Sequence, residues 1–128
     1  MSQPSSLVRL LNFSHPYTPD QVHQVEAIVG CDIAVVDIVV HLDPAVDFSA
    51  QLIRLILDNG CQTDDLLELP GLAVAAALVV AIFSGLHGHM PVIVRRARTG
   101  GIPVSFQVVE LIDLDAVRNR DARGQRPS

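Results

Sequence analysis

Residues 72 to 86 read Leu-Ala-Val-Ala-Ala-Ala-Leu-Val-Val-Ala-Ile-Phe-Ser-Gly-Leu, a stretch without one charged side chain. Wound as a helix, it is apolar around its whole circumference, so it is expected to be buried on every side. Only a layered fold or a partner chain supplies that much cover. The stretch is too short to cross a bilayer, which takes about twenty apolar residues. Met1 to Ser6 is polar, and Leu7 to Leu11 is too brief for a secretory apolar region. A cytoplasmic protein with no membrane contact is therefore expected.

The rest of the chain alternates strand and helix signals. Leu7 to Leu11 and Ile33 to Leu42 are near-continuous apolar runs, the pattern of parallel strands covered on both faces. Between them Thr18-Pro19-Asp20 opens a helix, with threonine as N-cap and proline at the first helical position. Val22, Val25, Ile28 and Val29 follow at helical spacing, and Gly30 closes it. Gln51 to Asp58 reads as a short helix ended by Asn59-Gly60. Leu66 to Leu69 reads either as a short third strand or as the end of a turn capped by Thr63.

Val92 to Arg96 is a further strand. Thr99-Gly100-Gly101 offers the positive backbone angles of a hairpin that returns Val104 to Leu114 antiparallel. Asp115 to Arg120 reads as a short aspartate-capped helix. A compact Rossmann-like α/β domain is predicted over 7–119, its sheet mostly parallel with a C-terminal antiparallel edge hairpin. With 128 residues the chain has room for one such domain. Residues 1–6 are expected to be a flexible N-terminus and 120–128 a disordered tail.

In such folds ligands sit at the carboxyl ends of the parallel strands. The first strand delivers Asn12, Ser14 and His15 there, stopped by Pro16. The second delivers His41 and Asp43, and a later one Arg95 or Arg96, which point to opposite faces so that at most one addresses a given pocket. The Pro70-Gly71 turn adds unpaired N–H groups at a helix N-terminus, a seat for an anion that glycine lets approach. Donors, an imidazole pair and a cation suit a phosphodiester or nucleotide. Two structural readings compete: Asn12, Ser14 and His15 as a side-chain-capped turn, and His41 as an edge-of-core residue.

Several classes are disfavoured. The net charge of −5 argues against a duplex nucleic-acid binder. All nine basic residues are arginine, and Arg118, Arg120, Arg123 and Arg126 fit a solvated tail. Cys31 and Cys61 are widely spaced single thiols that make no metal-ligand pair. His87 and His89 flank the turn after the long helix, at the amino ends of the strands and without a third ligand, so no metal is expected. Asp64-Asp65 reads as a solvated helix start. No nucleophile elbow, phosphate-cradling Gly-Lys-Ser/Thr loop or dinucleotide fingerprint is present, and no cofactor is expected.

Leu-Leu-Asn-Phe-Ser-His-Pro-Tyr-Thr-Pro-Asp-Gln at 10 to 21, Leu-Pro-Gly-Leu-Ala at 69 to 73 and Gly-His-Met-Pro-Val-Ile-Val-Arg at 88 to 95 resemble the Csx-fifteen family of type III CRISPR loci. The resemblance runs from about Leu7 to Arg118 and departs at the turn carrying Ser84-Gly85 and His87-Gly88-His89. It implies a CARF-like relative of proteins that bind or cleave cyclic oligoadenylate messengers, with cyclic tetra-adenylate held across a homodimer. It puts Asn12, Phe13, Ser14, His15 and Pro16 in the ligand loop, with Pro70 and Gly71 beside it. An all-round apolar helix on so small a domain also favours a symmetric dimer.

Two functions are then open: a non-enzymatic sink for the messenger, and a metal-independent ring nuclease with His15 as proton donor or acceptor and an arginine on the phosphate. A nucleotide-binding or protein-interaction module unconnected with CRISPR defence is a third.

Overall fold

The computed structural model describes residues 7–127, so the expected flexible stretch at 1–6 lies outside the described residues. Five strands, β1 (Val8–Asn12), β2 (Ile33–Asp37), β3 (Leu66–Glu68), β4 (Val92–Arg98) and β5 (Phe106–Asp113), form one sheet in the order β2-β1-β3-β4-β5. The first four are parallel, and β5 runs antiparallel to β4. The mostly parallel α/β architecture with an antiparallel edge hairpin agrees with the sequence reading and is compatible with a Rossmann-like fold.

Helix α1 (Pro19–Val29) covers one face of the sheet; α2 (Phe48–Asp58) and α3 (Ala73–His87) cover the other. The chain steps from β1 outward to β2, then crosses back past β1 to β3. Crossovers of one hand put the helices on opposite faces when the direction of travel reverses. Leu10, Val25, Ile33, Leu66 and Val94 form the α1-side core. The opposite core gathers Leu11, Leu67, Leu52, Ile56, Val79 and Phe83. The central strands β1 and β3 therefore bury both of their faces, which is why these runs read as continuous rather than alternating, while β5 at the edge stays largely exposed.

Local signals set the helix ends. Thr18 and Gln21 form a reciprocal capping box at the start of α1, and Gly30 ends it at φ 80°. Asp47 caps α2 by accepting from Ser49 N, so α2 begins ahead of the expected Gln51.

Several expectations are corrected. The second strand ends at Asp37 instead of Leu42, because pairing with β1 stops at the Asn12–Asp37 register and residues 38 to 42 turn over the carboxyl edge. Of the two readings of Leu66 to Leu69, the strand is the one found. The β4–β5 connection spans 99 to 105 and is closed by Thr99 N donating to Ser105 O at 2.7 Å. Positive φ among the described glycines is confined to Gly30, Gly60 and Gly88, so Gly100 and Gly101 do not supply it.

Helix α3 buries Ala75, Val79 and Phe83 but leaves Leu72 55%, Val74 56% and Leu86 43% exposed, because α2 and the sheet reach only its inner side. Asp65 is buried, not solvated: Arg9 donates to it from Nε at 3.1 Å and Nη2 at 2.6 Å, pinning the amino edge. After β5, Asp113 caps α4 (Leu114–Ala116), and helical turns continue through Val117–Ala122 and Arg123–Gln125, where a disordered tail was expected from 120.

Candidate functional site

The strand order places the topological switch between β1 and β3, whose ends are tied by Phe13 N donating to Glu68 O at 3.0 Å. Such a switch opens a crevice because the loops that follow the two strands leave in opposite directions. Here the loop after β1, Ser14-His15-Pro16, divides the carboxyl edge into two clefts, and Ser14 and Pro16 line both.

The first cleft has a volume of about 500 Å³. Its walls are apolar: Phe13, Ile38, Val39, Val40, Leu42, Phe48, Leu72 and Ala75, with Pro70 and Gly71 at the base of α3. Helix α3 starts there with Leu72 as N-cap and no side-chain cap. The first-turn N–H groups of a helix have no partner within the helix, and none is offered them by a capping side chain here. The polar side chains on this cleft are the Ser14 hydroxyl and the Asp37 carboxylate.

The second cleft, of about 440 Å³, lies toward the β4–β5 connection between His15, Thr18 and Val104-Ser105-Phe106. Its floor is closed on itself. Arg96 donates from Nε to both Glu68 carboxylate oxygens at 2.8 and 2.9 Å and from Nη2 to Oε2 at 2.7 Å. Nη1 reaches Gln21 Oε1 at 3.0 Å, and Nη2 also donates to the His15 carbonyl at 2.7 Å. The guanidinium lies 4.0 Å from the Tyr17 ring centroid, and the Tyr17 hydroxyl donates to Glu68. Burial first, and that hydrogen bond second, push the Tyr17 phenol far above its ordinary value. Gln21 donates onward to Phe106 O at 2.9 Å.

Asn12 sits beneath the partition, 1% exposed. Its Oδ1 accepts from Ser14 N at 3.0 Å, while Nδ2 donates to the His15 carbonyl at 2.8 Å and to Asp37 Oδ1 at 2.9 Å. This is the side-chain-capped turn in its full form, and the whole amide is engaged.

Of the residues singled out from the sequence, Phe13, Ser14, Pro16, Pro70 and Gly71 converge on the first cleft, and His15 lines the second. Asn12 serves the loop's backbone, and Arg96, on the floor of the second cleft, is held by Glu68, Gln21 and the loop carbonyls. Arg95, on the other face, is exposed beside Glu110 at 3.3 Å. His41 lines neither cleft: it is exposed in a shallow groove with Gln51, Arg54 and Asp58 that adjoins the first cleft across Val39 and Leu42, because β2 ends before reaching it.

His87 packs on Phe83 with ring centroids 4.5 Å apart, and His89 joins Thr63 Oγ1 at 2.7 Å and the Met90 carbonyl at 2.9 Å. Among the described residues no three His, Cys, Asp or Glu side chains converge on a possible metal position.

Sequence reasoning missed Asp37 and Phe48. An acid interrupting Ile33-Ala-Val-Val-Asp-Ile-Val-Val was the available signal for Asp37 as a strand end, and Asp47 followed by Ser49 was the signal for a helix opening at Phe48. No protein-family model, curated protein or solved structure matches the chain.

Proposed function

We propose that the first cleft binds a cyclic oligoadenylate, with cyclic tetra-adenylate the ligand that the resemblance implies, and that the protein acts as a homodimeric sink for this messenger in type III CRISPR defence. The observation that carries the reading is the division of the carboxyl edge. One cleft is saturated by its own Arg96–Glu68–Gln21 network, while the other keeps apolar walls and unspent polar groups at the switch point. Pockets for small ligands have this composition, apolar walls with few placed polar groups. Phe13, Ile38 and Phe48 among the walls offer apolar contact to an adenine ring. A phosphate suits the Ser14 hydroxyl and the uncapped start of α3.

The exposed apolar face of α3 supports pairing of two copies, and a two-fold axis would present the cleft twice to a cyclic ligand. Sequestration is favoured over cleavage because Arg96 is held by Glu68 and the loop carbonyls, and the chain has no lysine to neutralise a developing charge.

One observation favours the ring-nuclease alternative. The His15 imidazole is exposed on the partition and has no hydrogen-bond partner among the described residues, so it is free to move a proton.

Titration of labelled cyclic tetra-adenylate in EDTA separates the two. A sink binds the ring intact and saturates abruptly at a fixed ratio of ring to dimer. Full conversion to linear product by a tenth of an equivalent of dimer replaces the sink with the nuclease. Absence of binding overturns both.

A further inference from the structure

We infer that Asp37 recognises a ribose 2′-hydroxyl and makes the first cleft selective for ribonucleotides over deoxyribonucleotides. The inference rests on the reading of this cleft as a nucleotide site and names the group that the cleft selects.

Asp37 ends β2 opposite Asn12, at the row where sheet pairing stops, and it lines the cleft beside the switch point. One carboxylate oxygen, Oδ1, is spent on Asn12 Nδ2 at 2.9 Å. Asn12 is itself buried and fixed by Ser14 N and the His15 carbonyl, so the carboxylate is held in one orientation. The other oxygen, Oδ2, has no hydrogen-bond partner among the described residues, and no arginine or histidine forms an ion pair with Asp37 there.

An ionised carboxylate only accepts hydrogen bonds, so whatever meets Oδ2 must donate. A phosphate is excluded by charge and by its lack of donors. In a nucleotide the remaining donors are ribose hydroxyls and, in adenine, the exocyclic amine. Position favours the ribose. In dinucleotide-binding α/β sheets an acidic residue about 20 residues beyond the first strand-to-helix turn hydrogen-bonds the ribose 2′-hydroxyl, and Asp37 holds a comparable place after the first turn of this chain, which lacks the glycine fingerprint. In a 3′–5′ linked ring the 2′-hydroxyl is the one left free on each sugar, which matches a single open oxygen. The walls beyond Asp37, Ile38, Val40, Leu42 and Phe48, offer apolar contact to the base.

Asp37 is an anion facing an anionic ligand, so replacing it removes recognition and relieves repulsion together. The decisive quantity is therefore a ratio of affinities, not an affinity. A hydrogen bond to a charged acceptor discriminates by roughly ten- to a hundredfold.

The experiment measures the wild type and Asp37→Asn by calorimetry against cyclic tetra-adenylate, its 2′-deoxy analogue and its hypoxanthine analogue, and in parallel against AMP and 2′-deoxy-AMP. Asparagine keeps an oxygen for Asn12 Nδ2, and a second variant, Asp37→Ala, with circular dichroism on both, guards against a folding defect. The expected result is a ribose-to-deoxyribose preference of about ten- to a hundredfold in the wild type that collapses toward unity in Asp37→Ala and shrinks in Asp37→Asn, whose amide can only donate to the hydroxyl oxygen in place of the charged acceptor.

A preference that persists in both variants overturns the assignment while leaving the cyclic-oligoadenylate reading intact. Loss of discrimination against hypoxanthine alone overturns it in favour of the base amine. Binding of AMP with an Asp37-dependent ribose preference but no binding of the ring overturns the larger reading and keeps this one. Binding of neither overturns both.

Discussion

Arg96 and Glu68, on neighbouring strands, form a nearly water-free ion pair, with side chains 7% and 11% exposed and Nη2 to Oε2 at 2.7 Å. Their geometry accounts for the loop above them, since the same guanidinium also bonds the carbonyls of His15 and Pro16. A pair so buried is costly to break, because the survivor keeps its charge without a partner. Glu68→Leu or Arg96→Met alone is expected to destabilise the fold by about 3–5 kcal/mol, and the double variant Glu68→Leu with Arg96→Met by much less than the sum. Denaturant melts of the four proteins give the coupling directly; independent, additive losses would mean that the two charges do not act as a pair.

The loop residues separate into support and contact. Asn12→Ala removes three hydrogen bonds at a position 1% exposed and is expected to cost about 1–3 kcal/mol of stability. His15→Ala, at an exposed site with its ring unbonded, is expected to stay within about 0.5 kcal/mol of the wild type. Thermal melts order the two. If binding of cyclic tetra-adenylate is unchanged in His15→Ala, the imidazole is not a ligand contact.

Stability is expected to fall on the alkaline side through two named groups. The Cys61 thiol is pushed up from 9.0 to about 11 by burial and then by the nearby Asp65 charge; the Tyr17 phenol is raised above 10.0 by burial and by Glu68. Both hold their protons more tightly folded than unfolded, so the stabilisation is complete below the unfolded values, 9.0 and 10.0, and drains away as pH rises. Cys61's share is gone by about pH 11, while Tyr17's is still draining there. Urea melts from neutral to strongly alkaline pH are expected to show the decline. Cys61→Ser should flatten its first part and Tyr17→Phe its later part.

The two sides of α3 are expected to respond oppositely to the same charge. Val79→Asp, at a position with 0% exposure, buries an unpaired carboxylate and is expected to cost several kcal/mol and yield insoluble protein. Val74→Asp, at 56% exposure, is expected to leave folding intact and to convert the proposed dimer to monomer. Light scattering checks this: a wild-type chain already monomeric at micromolar concentration removes the dimer from the functional reading.

What could be read in the sequence was what local chemistry decides. Thr18, Pro19 and Gly30 announced α1 because caps act within a turn of their own position. Leu7 to Leu11 announced a doubly covered strand because burial on both faces leaves no polar alternation. The run Ile38 to Leu42 misled, since residues that wall a cleft are as apolar as residues inside a sheet.

Asn12 and Arg96 were recognisable as polar groups at the right edge. Their partners were not, because Asp37 lies 25 residues from Asn12 and Glu68 lies 28 from Arg96. Asp65 was misread for the same reason, its partner Arg9 being 56 residues away. In each case a charge or amide that looked free, for function at Asn12 and Arg96 and for solvent at Asp65, is consumed by a partner the fold supplies.

The reversal of β5 has a practical consequence for handling the protein. Asp113, at its end, pairs with Val92, at the start of β4, so the chain leaves the sheet at the same edge where Val8 enters it. That edge is the one opposite the clefts, a strand-length of roughly 15 Å away. A fluorophore, an immobilising tether or an affinity handle attached at the exposed Leu7 therefore sits on the edge away from the clefts. Surface-based binding assays can hold the protein by that end and leave the mouth of the cleft facing solution.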